Sequence, residues 1–235
     1  MDGQIGIEQT PEAYVTKLVE VFREVRRALR SDGTLWLNLA ASWNGSGGAG
    51  GDYAKGGIKD GQPKYAGRSL CNYKPKDMIP IPWLVAIGLQ EDGWWLRADV
   101  IWHKKAPMPA SLRDRPTPAH EYMFLLAKNA TYYYDADAIA EPTSKKTDWT
   151  YSQPDKAARN GQTTNGTGRT TLRVKPADGK RNKRSVWTLG PESYPGSHFA
   201  VMPTKLVEPC ILAGTSAKGC CSKCGAPWAR VVERI

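Results

Sequence analysis

The chain has 235 residues, 33 Lys and Arg against 23 Asp and Glu, and a net charge of +10. Its length suits one α/β domain with a sizeable core or two small domains, and its charge favours nucleic acid over a membrane as partner. No run of about 18 apolar residues predicts a membrane span. The five Cys do not resemble an extracellular disulfide framework, and the start has no signal-peptide pattern, so a cytoplasmic protein is expected.

The first predicted elements are a helix and a strand. Thr10 and Pro11 are typical of a helix start. Apolar residues then recur at helical spacing: Tyr14, Leu18, Val21, Val25 and Leu29. Residues 34–39 predict a buried parallel strand, the second half of a βαβ unit whose first strand is expected before this chain.

The next segment is predicted to be a loop followed by a second helix. Residues 43–72 are rich in Gly, Ser, Lys and Asp, which is typical of a mobile loop. The glycines of residues 45–50 match the dinucleotide pattern G-x-G-x-x-G, but no helical pattern follows, so a linker is favoured over a phosphate cradle. Pro80 and Pro82 begin the helix, and Asp92-Gly93 ends it.

Two further strands are predicted after this helix. Residues 94–103 alternate, and we expect five of them on one face: Trp94, Leu96, Ala98, Val100 and Trp102. Residues 121–128 are continuously apolar, as expected of a strand covered on both faces. Residues 132–134 are a candidate for a short additional strand.

These patterns divide the chain into four parts. Residues 1–142 form an α/β core, and residues 143–184 form a basic segment with eleven Lys and Arg, three Asp and few aliphatic residues. Such a segment cannot build its own core and is expected to be flexible until it meets a partner. Residues 185–214 return to the core, with a strand at 185–189 and an apolar helix that Pro209 should kink or delimit. Residues 215–235 carry the Cys cluster.

The Cys cluster predicts half of a zinc site. Cys221 and Cys224 form a Cys-x-x-Cys knuckle, and Gly225 permits the tight turn. A structural zinc takes four ligands, usually two such knuckles, and no second pair precedes Ile235. Cys220 is the candidate for a third ligand, although adjacent cysteines fit one tetrahedral site poorly. Unpaired thiols are the alternative.

Basic residues follow the strand that contains residue 102, where α/β sheets place their sites. Trp102 could stack on a base, and four cations could hold phosphates: Lys104, Lys105, Arg113 and Arg115. A solvated strand end with a core Trp is an equal alternative. His120 and Glu121 point to opposite faces of a strand, so a shared role in proton transfer is not favoured.

Five segments together resemble the DNA amino-methyltransferases of bacteria and phages. They are LRSDGTLWLN at 29–38, DVIWHK at 99–104, RPTPAHEYMFLLAK at 115–128, KRSVW at 183–187 and HFAVMPTKLVEPCILAG at 198–214. Their order resembles the permuted "beta" arrangement, in which the catalytic half precedes target recognition and the cofactor half comes last. The resemblance implies a Rossmann-like α/β methyltransferase sheet, incomplete here, with residues 143–184 in the recognition region.

The resemblance also implies the chemistry. These enzymes transfer a methyl group from S-adenosylmethionine to N6 of adenine or N4 of cytosine in double-stranded DNA, often within restriction–modification systems. By analogy, we expect His198, Phe199, Thr204 and Lys205 at the cofactor.

Two motifs of the family are absent from this sequence. The catalytic Asp/Ser-Pro-Pro-Tyr tetrapeptide would precede Met1, and the Gly-rich cofactor loop would follow Ile235. We therefore expect a chain truncated at both ends, with no catalytic residue of its own and no activity alone. A non-catalytic DNA-binding remnant and a purely structural α/β protein are the alternatives. The remnant would bind DNA without measurable affinity for S-adenosylmethionine, and the structural protein would bind neither.

Overall fold

The computed structural model describes residues 4–45, 55–56, 60, 72–142, 179–196 and 201–231, and the backbone of 150–154 and 169–173. Its helices are α1 Pro11–Ala28, α2 Ile81–Glu91 and α3 Thr204–Gly214, with a 3-10 turn at Asp137–Ile139. The longer strands are β1 Thr34–Leu39, β4 Trp95–Lys104, β5 His120–Ala127, β7 Thr150–Pro154, β8 Arg169–Arg173 and β10 Val186–Leu189. The short strands are β2 Ser42–Trp43, β3 Met78–Ile79, β6 Glu141–Pro142 and β9 Lys180–Arg181.

The central sheet has the strand order β1-β5-β4-β10. Strand β5 runs antiparallel to both β1 and β4, whereas β4 and β10 are parallel. Strands β1, β4 and β10 therefore end at the same edge of the sheet, which we call the carboxyl edge. The described strand beside β1 is the antiparallel β5, and the parallel first strand of the βαβ unit stays a prediction.

The predicted burial of β1 was wrong, since all six of its residues are only partly buried. Among the described residues it has a neighbouring strand on one side only. Strand β5 is the buried strand of the sheet, as predicted: residues from Met123 to Ala127 are all buried.

Helices α1 and α2 cover one face of the sheet. Phe124 and Leu126 of β5 pack there in a buried cluster with Leu18 of α1 and Leu89 of α2. The two helices approach closely at Gly88, where an added Cβ would lie 3.2 Å from a Val15 methyl group. The cluster on this face is the larger of the two hydrophobic clusters among the described residues.

The start of α1 was predicted correctly, but its apolar stripe was not. The Thr10 hydroxyl accepts a hydrogen bond from Ala13 N at 3.1 Å, and Pro11 is the first helical residue. The stripe predicted through Val21 and Val25 is wrong at these two positions, because both are exposed. The inner face instead turns toward α2, and three neighbours of Leu18 pack on the cluster: Val15, Val19 and Phe22.

A β-bulge corrects the predicted faces of β4. The register with β5 shifts between Leu96 and Ala98. Because an extra residue reverses the alternation, Leu96 packs on the α1/α2 face whereas Val100 and Trp102 pack on the opposite face. The alternating sequence alone had assigned them all to one face.

Helix α3 covers part of the opposite face, where Leu206 and Cys210 pack with Met123 and Trp187. Pro209 lies inside α3, so the helix passes through a residue that was expected to kink or delimit it. Proline removes one backbone hydrogen bond. The buried residues on both sides of it, Leu206 and Cys210, anchor the helix to the sheet and offset that loss.

Two small ladders lie at the start of the basic segment and within it. Strand β6 pairs with β9, and β7 pairs with β8. Most of the other residues of this segment, on which the expected flexibility depends, lie outside the described ranges, as do most residues of the Gly-rich loop. Residues 132–134 form no strand; instead, Tyr133 N donates to Asp32 O at 2.9 Å.

Candidate functional site

A cavity of about 570 Å³ lies at the carboxyl edge of the sheet. Residues from β4, β5 and α2 line it, together with the loops after β1 and β4. Its ring-bearing side chains are Trp43, Trp83, His120 and Tyr122, and its charged ones are Lys104, Arg115 and Glu121. An aromatic cavity with a few polar groups is typical of a ligand site.

The rings form a ladder that continues the core outward. Alternate residues of a strand share a face, so His120, Tyr122 and Phe124 follow one another toward the edge. Tyr122 stacks on Phe124 with ring centres 5.9 Å apart, and His120 meets Tyr122 edge-on at 5.3 Å. Trp83, in the first turn of α2, contacts both Tyr122 and Phe124 edge-on. Because Phe124 is fully buried, it fixes the rings beyond it.

Trp43 and Arg115 form a second wall of the cavity. The guanidinium carbon of Arg115 lies 3.7 Å from the centre of a Trp43 ring, which is close contact for a cation over an aromatic face. Trp43 also lines a neighbouring cavity of about 380 Å³, which adjoins the start of α1. The Trp43 indole therefore lines both cavities, and the Arg115 guanidinium lies over one of its rings.

Asn44 fixes the loop that carries Trp43. It is the one buried polar residue within the described ranges. Its side-chain amide donates to Tyr73 O at 2.8 Å and to Lys74 O at 3.2 Å, while its backbone N donates to Asp77 O at 2.8 Å. With the β2–β3 ladder, these bonds join residues 42–44 to residues 73–79 and set the position of the indole.

The predicted residues of β4 lie at the same edge. The Lys104 ammonium forms an ion pair with Glu121 and lies 4.8 Å from the centre of a Trp102 ring. Trp102 is partly buried and packs on the cluster beneath α3. The Trp102 ring therefore contacts both the core and the Lys104 ammonium. Its stacking on a base stays a prediction.

The other predicted cations are more exposed. Lys105 and Arg113 are both exposed, and Lys105 N is fixed by a hydrogen bond to Leu189 O at 2.9 Å. Between Arg113 and Arg115, Asp114 pairs with Lys76 at 2.7 Å. This hydrogen bond and the ammonium charge lower the pKa of Asp114. Cations outnumber carboxylates among these residues of the edge.

Thr204 and Lys205, predicted at the cofactor, begin α3. The Glu192 carboxylate accepts from Thr204 N at 2.6 Å and from the Thr204 hydroxyl at 2.8 Å, and it lies 3.5 Å from the Lys205 ammonium. This donor set fits a carboxylate at a helix start. His198 and Phe199 lie outside the described residues.

The Cys knuckle lies at the opposite end of the sheet. Arg30, in the turn before β1, donates to Gly225 O at 2.6 Å and pairs with Asp32. Gly225 has φ 73°, and its N donates to Cys221 O at 2.8 Å, which closes the predicted turn. The knuckle is therefore attached to the core, away from the carboxyl edge.

The structure does not support the predicted zinc site. Cys220, Cys221 and Cys224 are all free thiols. Within the described part of the chain, no three His, Cys, Asp or Glu side chains lie close enough to hold a metal. Adjacent residues of an extended segment point apart, so Cys220 was a poor candidate for a third ligand.

Three important residues of these sites were missed by sequence reasoning. Trp43 was assigned to a loop, Trp83 to a helix start, and Glu192 received no role. A signal existed only for Trp83, because it is a large aromatic residue that directly follows Pro80 and Pro82 at a helix start.

The fold is similar to that of a solved methyltransferase. The solved PvuII DNA methyltransferase (cytosine-N4-specific) matches 92% of this chain and 59% of its own with a TM-score of 0.52 and 14% identity. At this identity the likeness concerns the fold alone. It confirms the predicted Rossmann-like α/β class.

The sequence profile of the DNA methylase family, N6_N4_Mtase, matches residues 1–221, and the chain belongs to that family. It is 41% identical over 226 residues to Type II methyltransferase M.SmaI of Serratia marcescens and 36% identical over 224 residues to M.Cfr9I of Citrobacter freundii. Each alignment covers 92% of this chain, but 64% and 61% of those proteins. The chain thus spans less than two thirds of the length of these relatives.

None of the helices within the described ranges combines the length and the apolar character that a membrane crossing requires.

Proposed function

We propose that the full-length protein transfers a methyl group from S-adenosylmethionine to an exocyclic amino nitrogen, N6 of adenine or N4 of cytosine, in double-stranded DNA. The observation that carries this proposal is the aromatic cavity with a cationic rim at the carboxyl edge, in a chain of the DNA methylase family. This edge is where α/β sheets bind their ligands.

The cavity suits a base taken out of the duplex. An enzyme that acts on the amino group of a paired base must first extrude that base, and the extruded ring is then held by stacking and hydrogen bonds. Trp43, Trp83 and Tyr122 supply aromatic walls. Lys104 and Glu121 form an ion pair at the same edge, on the face of the sheet that carries Trp102. Arg115 lies where a phosphate beside the extruded base could be neutralised.

Thr204 and Lys205 fit the carboxylate of the cofactor. Their backbone N–H, hydroxyl and ammonium groups already converge on a carboxylate, that of Glu192. When bound, S-adenosylmethionine supplies the methyl group on a positively charged sulfur. The residues of this chain would orient it and hold the base, with His198 and Phe199 as further candidates for cofactor contact.

Methyl transfer tests the proposal directly. The full-length protein is incubated with duplex DNA and S-adenosylmethionine that carries a labelled methyl group, and the methylated base is identified by mass spectrometry. We expect N4-methylcytosine or N6-methyladenine, and the product decides between the two bases. Trp43→Ala should lower kcat/KM by roughly 5- to 150-fold, the value of one base–aromatic stack. Trp228→Ala, an exposed tryptophan beyond the Cys knuckle, is the matched control.

DNA binding without methyl transfer by the full-length protein would contradict the enzyme and favour the non-catalytic DNA-binding alternative. An equal loss in both tryptophan variants would contradict the role of the cavity.

A further inference from the structure

The basic segment leaves and rejoins the core through a narrow neck. Strand β6 enters it and β9 leaves it, with Glu141 opposite Arg181 and Pro142 opposite Lys180. Farther along, β7 pairs with β8, so an antiparallel hairpin lies between the two sides of the neck. A ladder of two residue pairs that includes a proline has few backbone hydrogen bonds, and on its own it would fix the hairpin weakly.

One carboxylate joins the two sides of this neck. Glu141 Oε2 lies 3.1 Å from Arg184 Nε and 3.4 Å from Arg181 Nε, and Glu141 Oε1 lies 3.9 Å from the Lys183 ammonium. The Glu141 side chain is 20% exposed. Burial raises its pKa, but the hydrogen bond and charge of Arg184 and the charge of Lys183 outweigh burial, so its pKa lies below the ordinary value. Glu141 is therefore charged at neutral pH.

Both sides of the neck are anchored in the core next to this cluster. Ile139, two residues before Glu141, is buried. On the other side, the indole of the buried Trp187 donates to Arg184 O at 2.7 Å, and Ile101 N donates to Ser185 O at 2.8 Å. The position of the Glu141 cluster is thus fixed relative to β4 and to the start of β10.

We propose that Glu141 is a positioning residue for DNA recognition, because it holds the base of the basic hairpin in one orientation relative to the cavity. The inference rests on the proposed function, since it assigns DNA to the basic segment. Three cations around one carboxylate leave a net positive neck, which suits a phosphate backbone. All three cations lie on the β9 side of the neck, so removing the carboxylate removes their attraction to the β6 side, and the two sides separate.

Glu141→Gln in the full-length protein tests this role with two readouts. The first is hydrogen–deuterium exchange of peptides that cover residues 139–142 and 180–187, without DNA. We expect exchange about tenfold faster, as the loss of charge-assisted hydrogen bonds predicts. The second is methylation of the cognate site and of sites that differ by one base pair. We expect discrimination to fall about tenfold through a higher KM for cognate DNA, with kcat little changed.

Two variants complete the test. Glu91→Gln, an exposed carboxylate at the end of α2, is the matched control and should change neither readout. Arg184→Gln combined with Glu141→Gln removes both partners of the shortest pair, and because Glu141→Gln has already broken that pair, both readouts should match those of Glu141→Gln alone.

The outcomes separate the two proposals. If the wild-type protein methylates no DNA, the proposed function fails, whatever the exchange of the neck. If it does methylate DNA, unchanged hydrogen–deuterium exchange in Glu141→Gln contradicts the claim that Glu141 holds the two sides of the neck together. Faster exchange with unchanged discrimination overturns the positioning role and leaves Glu141 only a part in folding.

Discussion

Arg115 allows a quantitative test of DNA contact at the carboxyl edge. Its guanidinium is partly buried and lies 3.7 Å from the centre of a Trp43 ring. If it neutralises one phosphate, Arg115→Ala should lower the slope of log affinity against log salt by about 0.9. The affinity deficit of Arg115→Ala relative to wild type should then shrink by about 3.5-fold between about 50 and 200 mM salt.

Arg115→Lys separates charge from stacking. Lysine keeps the charge, so the salt slope should stay at the wild-type value. It lacks the planar group that lies over Trp43, and the lost contact of about 0.5–2 kcal/mol should weaken binding by roughly 2- to 30-fold at every salt concentration. Fluorescence anisotropy of a short labelled duplex, titrated with the full-length protein at several salt concentrations, gives both quantities.

The control for this experiment is Lys17→Ala. Lys17 lies in α1, paired with Glu20 at 3.0 Å, and should change neither affinity nor slope. A wild-type slope in Arg115→Ala would refute the phosphate contact. A slope in Arg115→Lys as low as in Arg115→Ala would refute the separation of charge from stacking.

Two further predictions concern α3 and the Cys knuckle. Leu206→Ala removes a fully buried side chain and should lower the free energy of unfolding, measured by urea denaturation, by about 2–5 kcal/mol. Leu212 is exposed, so Leu212→Ala should lower it little. Equal losses in the two variants would contradict the packing of α3. Iodoacetamide should modify Cys221 well before Cys210, as peptide mapping by mass spectrometry would detect. The backbone N–H groups of Cys224 and Lys223 and the Cys224 thiol lower the pKa of Cys221, whereas burial raises the pKa of Cys210 to about 12, so equal rates would contradict these surroundings.

The sequence predicted the elements of the fold better than their arrangement. Helix starts such as Thr10-Pro11 and the apolar run of β5 depend on local chemistry, and they were confirmed. The antiparallel neighbour of β1 and the bulge at Leu96 depend on contacts between segments many residues apart. Local periodicity carries no information on which strand lies beside which, and one inserted residue reverses every face assignment after it.

The site divides in the same way. Lys104 and Arg115 could be predicted as edge residues because they follow a strand end. Trp43 and Trp83 could not be joined to them, because the cavity brings together residues from a loop, a helix and two strands. Isolated acids such as Glu141 have no sequence signal either, since their meaning comes from the cations that the fold gathers around them.

Glu192 raises a last question, whether the start of α3 can serve a protein carboxylate and a cofactor carboxylate at once. The hydrogen bond from the Thr204 hydroxyl lowers the pKa of Glu192 below its ordinary value of 4.5. A group with a lowered folded-state pKa stabilises the fold fully above its ordinary pKa and loses that effect as the pH falls through the lowered value. Glu192→Gln should therefore destabilise the protein at neutral pH, with a difference that fades in acid, whereas Glu208→Gln, an exposed residue of the same helix, should not.

The same variant decides between two roles for Glu192 in the full-length protein. If the carboxylate of S-adenosylmethionine uses the donors of Thr204 and Lys205, Glu192 competes with it, and Glu192→Gln should bind the cofactor more tightly in calorimetric titration. Tighter binding together with lower stability is the expected result, because one set of donors cannot satisfy two carboxylates fully. Weaker binding would contradict competition and indicate that Glu192 orients Thr204 for a cofactor that is held elsewhere.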